Sequence, residues 1–130
     1  MTWVNTKMKW IMLVSGILTS SMIYAAIAPQ AALLSTFGVS IEGPLAEIVV
    51  RNWGALIALV GAMLIYGAFD LTSRPLVLTV ATISKLIFVA LVLIYGQQYL
   101  GYQAGFAIVV DMIMIPIFIG YLINMRKLSR

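Results

Sequence analysis

Polar positions in this chain gather at the two ends and in three connections, and four apolar stretches run between them. The stretches cover about residues 8–28, 48–69, 76–96 and 104–124, with the second starting as early as Pro44. Each holds about twenty residues. At about 1.5 Å of rise per residue, that length crosses a hydrocarbon core of ~30 Å. Backbone amides in hydrocarbon find no water to bond, so each stretch must be helical. The pattern predicts an all-α, integral membrane four-helix bundle, a single transmembrane domain over residues 1–130.

The first stretch has a rival reading. Lys7, Lys9, an apolar run and the small residues Ala25, Ala26 and Ala28 also fit a secretory signal with an A-x-A cleavage site. Pro29 would then follow the cut, which is a poor position for proline, and the stretch is read as a retained helix.

The flanks predict orientation. Lys7, Lys9, Arg74, Arg126, Lys127 and Arg130 fall on one side if the helices alternate, while loops 29–47 and 97–103 hold no Lys or Arg. By the positive-inside rule both termini are cytoplasmic. Tyr24, Trp53, Tyr95, Tyr99 and Tyr102 fall near the outer interface, and Trp10, Tyr66 and Tyr121 near the inner one. Residues 70–75 make a tight turn and 97–103 a short loop, so the second, third and fourth helices are successive antiparallel neighbours. The first loop is longer and partly apolar. Ala31, Ala32, Leu33 and Leu34 there are expected to form a short interfacial helix on the outer leaflet. Pro44 suits a first helical turn, and Glu47 suits its positive end. Short loops and basic flanks fit a bacterial inner membrane.

Composition narrows the chemistry. Apolar residues make up 63% and charged residues 9%, against roughly 25% charged in soluble domains. Most of this surface therefore faces lipid. The net charge of +4 sits beside the spans, where topology explains it, and no nucleic-acid partner is expected. Without cysteine or histidine, thiolate nucleophiles, iron–sulfur clusters, His-ligated haem, Ser-His-Asp triads and Cys/His zinc sites are excluded. No metal or cofactor is expected. Eight methionines read as adaptable packing.

Three ionisable residues fall within spans, where charge is costly and functional by default. Arg51 lies about one turn inside the second span, four residues after Glu47, and reads as an interfacial ion pair with it. Lys85 lies near the middle of the third span. Thr79 and Thr82 are expected to share its inward face, with Ser84 nearby. Asp111 lies seven residues into the fourth. The helical rise places Asp111 roughly 10 Å and Lys85 about 16 Å below the outer boundary, an offset that a lysine stem can cover. A Lys85–Asp111 pair is expected, with Arg51 able to join from above. Such a pair reads either as a register lock or as a polar site in an outward-opening cavity. Gly54, Ala58 and Ala62 at spacing four, with Gly61 adjacent, suit close helix packing. Pro116 frees the carbonyl of Met112 and is expected to kink the fourth helix.

From the second span onward the pattern resembles the DoxX-like group of small four-helix bacterial membrane proteins. The likeness rests on Arg51-Asn52-Trp53-Gly54 opening a span, Gly61 and Gly67 within it, the turn ending in Arg74-Pro75, Lys85 and Asp111. It covers about residues 44–124 and implies the fold. The group is named for a subunit associated with quinol oxidation, yet this chain has no side chain to run redox chemistry itself.

Three functions are expected in order. The first is a non-catalytic accessory or assembly subunit of a membrane complex, or a self-associating bundle, with lipid and other membrane subunits or its own copies as partners. The second is a small transporter or channel with a polar pathway through Arg51, Lys85 and Asp111. The third is a lipid- or quinone-binding membrane module. No nucleophile–base pair argues for an enzyme.

Overall fold

The computed structural model describes the backbone of residues 2–128 and the side chains of residues 3–125. The side chains of Arg126 and Lys127, and the whole of Arg130, counted above among the flanking cations, lie outside the described residues. Six α-helices follow one another: α1 (Thr2–Ser20), α2 (Ile23–Ile27), α3 (Pro29–Phe37), α4 (Pro44–Phe69), α5 (Arg74–Tyr95) and α6 (Gln103–Leu128). A 3₁₀ turn, Gln97–Tyr99, lies between the last two, and no strand occurs among the described residues. Four helical segments are long and apolar enough to cross a membrane: Trp3–Ile27 (α1 running on into α2), Pro44–Phe69, Arg74–Tyr95 and Gln103–Met125. The first and second start earlier than residues 8 and 48, because Lys7 and Lys9 sit on the helix itself and Pro44 opens α4.

The first span is not one straight helix. At Ser21 and Met22 the ladder tightens to bonds three residues apart (Met22 N–H to Thr19 O, 3.2 Å; Tyr24 N–H to Ser21 O, 3.3 Å). The Ser21 hydroxyl bonds back to the Leu18 carbonyl at 2.5 Å, the kind of contact that bends helices. The expected loop helix is α3. Its buried residues Pro29, Ala32, Leu33 and Thr36 repeat at helical spacing and form one face. Gly38 ends it at φ 78, the left-handed conformation that favours glycine, and the Tyr102 ring packs against its Cα. The face of α3 is pinned by Tyr24–Ser35 and by Phe37, whose ring lies 6.1 Å from Trp53 and 5.3 Å from Tyr99.

The spans alternate in direction. The side of the bundle holding the 70–73 turn, the start of α1 and the end of α6 is called here the turn end, and the opposite side, capped by α3, the loop end. Near the turn end the core is solid: Met8 and Met12 of α1, Leu64 and Ala68 of α4, Val77, Leu78 and Ala81 of α5, and Phe118 and Tyr121 of α6 form one buried cluster.

Small residues let α4 approach the first span, but along a different line from the spacing-four row. Gly54 and Gly61 are buried, Ala58 is half-buried and Ala62 is exposed. At about 100° per residue, eight residues rotate the face by about 80°, whereas seven leave it within about 20°. The heptad step from Gly54 to Gly61 therefore keeps the contact and the step to Ala62 loses it. A Cβ on Gly61 would strike the backbone and hydroxyl of Ser20, and one on Gly54 would lie 2.6 Å from the Ala25 Cβ.

Arg74, expected only as a flanking cation, is one of the most buried side chains, at 2% exposure. It opens α5, yet its guanidinium turns back. Nε donates to the Gly67 carbonyl (3.0 Å) and Nη2 to that of Ala68 (2.8 Å). Nη1 donates to the Asn5 carbonyl (3.2 Å) and the Tyr121 hydroxyl (3.1 Å). That hydroxyl donates in turn to Asn5 Oδ1 at 2.6 Å. Helix ends leave carbonyls without partners, and here a cation meets those of α4 at the negative end of its dipole.

Two outcomes are expected in thermal melts of the detergent-extracted protein. Arg74→Lys keeps the charge but cannot reproduce the four-way fork, and with charged hydrogen bonds worth about 1.5–3 kcal/mol each it lowers stability by roughly 3 kcal/mol or more. Gly61→Val overpacks the α1–α4 contact by ~1–3 kcal/mol, while Ala62→Val, on the exposed side, leaves the melt within about 0.5 kcal/mol of wild type. Equal effects at 61 and 62 would contradict the heptad contact.

Candidate functional site

Lys85 reaches the interior because of where it falls on α5. The buried residues Arg74, Val77, Leu78, Ala81, Thr82, Lys85, Val89 and Val92 recur three and four residues apart, the spacing of one helix face. Thr79 is off that line. Two steps of three turn it about 120° from Lys85, so it is exposed and bonds the Pro75 carbonyl at 2.7 Å. Of the two threonines expected inward, only Thr82 is. On α6 the same alternation carries Ala104, Ile108, Asp111, Ile115 and Phe118 inward. The helix runs through Pro116 without a break.

The two faces bring Lys85 Nζ to 2.8 Å from Asp111 Oδ1. Both residues are 8% exposed. Among the described residues this is the only ion pair, and an apolar quartet of Val89, Val92, Ile108 and Ile115 packs beside it. Arg51 does not join. Its Nη1 donates to the Ala26 and Ile27 carbonyls, at 2.5 and 3.3 Å, which are freed where α2 stops. The expected Glu47–Arg51 pair does not form, since the nearer helix-end carbonyls take the guanidinium and Glu47 stays exposed. Arg51 also lies outside the lining of the cavity described next.

A cavity of about 480 Å³ opens against the pair, between it and the loop end. Lys85, Ser84 and Phe88 come from α5 and Asp111, Phe106 and Gln103 from α6. Trp53, Ile57 and Val60 of α4 wall it, Ser15 and Thr19 of α1 face it, and Thr36 of α3 roofs it. Leu18 and Ser21 on the α1 side and Gln103 and Phe106 on the α6 side are its exposed lining, which puts the mouth between α1 and α6. The Ser15 hydroxyl is buried at 1% exposure without a hydrogen-bond partner. Thr82 Oγ1 is likewise buried and unpartnered, but Thr82 is not part of the lining.

Ser15 and Thr19 were not foreseen as site residues. Their signal was in the sequence all the same: two hydroxyls four residues apart inside an apolar span lie on one helix face. Among the described residues no three His, Cys, Asp or Glu converge. The arrangement offers an ion pair with unused hydrogen-bonding capacity at the base of a mostly apolar, aromatic-walled hollow, a combination typical of small-molecule sites.

In comparisons with known proteins, no family profile, no curated protein and no solved structure matches the chain.

Removing one member of a buried pair leaves an uncompensated charge, whereas replacing both with apolar groups is often neutral. Lys85→Met alone is expected to destabilise by about 3–5 kcal/mol. The double variant Lys85→Met/Asp111→Leu recovers most of that loss in the same thermal melt. A double variant as unstable as the single one would contradict the pairing.

Proposed function

We propose that this is a multi-pass protein of a bacterial inner membrane, both termini cytoplasmic, that holds a small amphiphile of the lipid or quinone class at the Lys85–Asp111 pair. The observation that carries the reading is the cavity built against that pair. Its volume lies within the ~300–1,000 Å³ usual for small-molecule pockets. Lys7, Lys9 and Arg74 at the turn end support placing that end in the cytoplasm, with the cavity then in the outer half of the bilayer. The DoxX-like resemblance of residues 44–124 bears on the fold and assigns no activity.

Conduction is a weaker reading. A pathway through Arg51, Lys85 and Asp111 would have to continue past Met12, Leu64, Leu78 and Phe118, each at 0% exposure, and past the Arg74 fork. The hollow ends at the pair. Self-association or an accessory role was expected partly from the small residues of α4, but Gly54 and Gly61 are occupied by α2 and α1 within the same chain.

The test is native mass spectrometry of protein extracted directly into lipid nanodiscs. Wild type is expected to retain an apolar small molecule that Lys85→Met/Asp111→Leu, folded by thermal melt, releases. Identical bound species in both would count against the reading.

A further inference from the structure

Resting on the cavity reading above, we infer that the cavity selects an amphiphile whose head group is uncharged and both donates and accepts hydrogen bonds, with its chain leaving sideways between α1 and α6.

The charge argument comes from the lining. Lys85 and Asp111 are the only ionisable side chains among the described residues that line the cavity, and they are paired with each other. The site therefore sums to zero. Arg51, expected to join the pair from above, is held by the Ala26 and Ile27 carbonyls outside the lining. A charged head would enter a hollow of mostly apolar lining with no spare counter-ion for it, and an isolated charge is the costliest thing to bury.

The hydrogen-bond argument comes from what the pair leaves unused. An ammonium has three donors, and Lys85 directs one to Asp111 Oδ1. The carboxylate's second oxygen has no partner among the described residues and is acceptor-only. Ser15, buried and unpartnered on the facing helix, can serve as either. A hydroxyl beside a carbonyl, or a pair of hydroxyls, answers all three. A hydrocarbon head answers none of them, and an ammonium or sulfate head answers only one side.

The chain's route follows from burial. Above the pair the walls are Ile57, Val60, Phe88 and Val110, and the exposed lining at the mouth includes Leu18 and Phe106. Farther toward the turn end a second hollow of about 320 Å³ lies between the same two helices, lined by Ile11, Pro116 and Ile117 among others. Hollows thus open between the first and last spans, which meet through Asn5 and Tyr121 at the turn end, and the one at the cavity mouth gives an apolar chain a way out to the lipid.

The experiment uses the full chain in nanodiscs with Trp3→Phe and Trp10→Phe, leaving Trp53 of the cavity wall as the only tryptophan. Three probes share one chain brominated near the head: a monoacylglycerol, an alkyl sulfate and an alkyltrimethylammonium. The monoacylglycerol is expected to quench Trp53 saturably and at least tenfold more tightly than either charged probe. Lys85→Met/Asp111→Leu is expected to abolish that preference, and Ser15→Ala, a smaller change should the double variant fold poorly, to weaken the monoacylglycerol about threefold. A preference below tenfold in the parent protein overturns the head-group inference while leaving a binding cavity. Absence of saturable quenching by every probe overturns the cavity reading itself.

Discussion

Arg74 carries a full positive charge into the core of the turn end without a carboxylate on it. What holds it there is backbone. Two carbonyls of the last turn of α4 take Nε and Nη2, and a carbonyl and a tyrosine hydroxyl from α1 and α6 take Nη1. One side chain therefore touches all four spans. The Gly67 and Ala68 carbonyls lie in the last turn of α4, where no intrahelical N–H reaches them, so the fork satisfies that helix end and the helix end satisfies the fork. A lysine offers a point charge where this site needs a planar set of donors. The solid cluster of Met12, Leu64, Leu78 and Phe118 assembles next to this clamp, and the register of the four helices relative to one another is fixed from this end.

The loop end is organised by the same chemistry with a different result. Arg51 takes the last carbonyls of α2, as Arg74 takes those of α4. Here the helix being capped is short and offset by the tightened turn at Ser21 and Met22, and Gly54 lets it lie directly on α4. That turn lies beside the cavity, which Ser21 and Met22 help to line, and Phe37 holds α3 to Trp53 and Tyr99 over it.

Much of this was readable from residues alone, and each miss has a physical cause. Spans, turns and the Lys85–Asp111 meeting follow from one-dimensional quantities: apolar length, helical rise and the offset between two positions on adjacent helices. Arg51 and Arg74 went astray because their partners are mostly backbone carbonyls. Every segment has those, so sequence cannot flag them as it flags Glu47 four residues from Arg51. Thr79 went astray because six residues turn the helix face by about 120°. The row of Gly54, Ala58 and Ala62 was misplaced for a geometric reason: spacing four looks continuous on paper but drifts around the helix, and the contact follows the heptad to Gly61. The cavity was beyond reach because it is where side chains are not.

The pair itself is best understood by asking what the fold loses without it. Its two helices are already neighbours through the short 96–102 connection, already packed through Val89, Val92, Ile108 and Ile115, and already in register through Arg74 and Tyr121. A buried ion pair is weak evidence for stability, since apolar residues of similar volume usually serve as well. Desolvating Lys85 and Asp111 is therefore a cost that register and packing do not require. The same helices could have closed over the gap with apolar side chains, as they do at Leu78 and Phe118. Instead the charges stand at the bottom of a cavity of about 480 Å³, opposite an unpartnered serine. A feature that the fold does not need, placed where only a guest would meet it, is more economically explained by the guest.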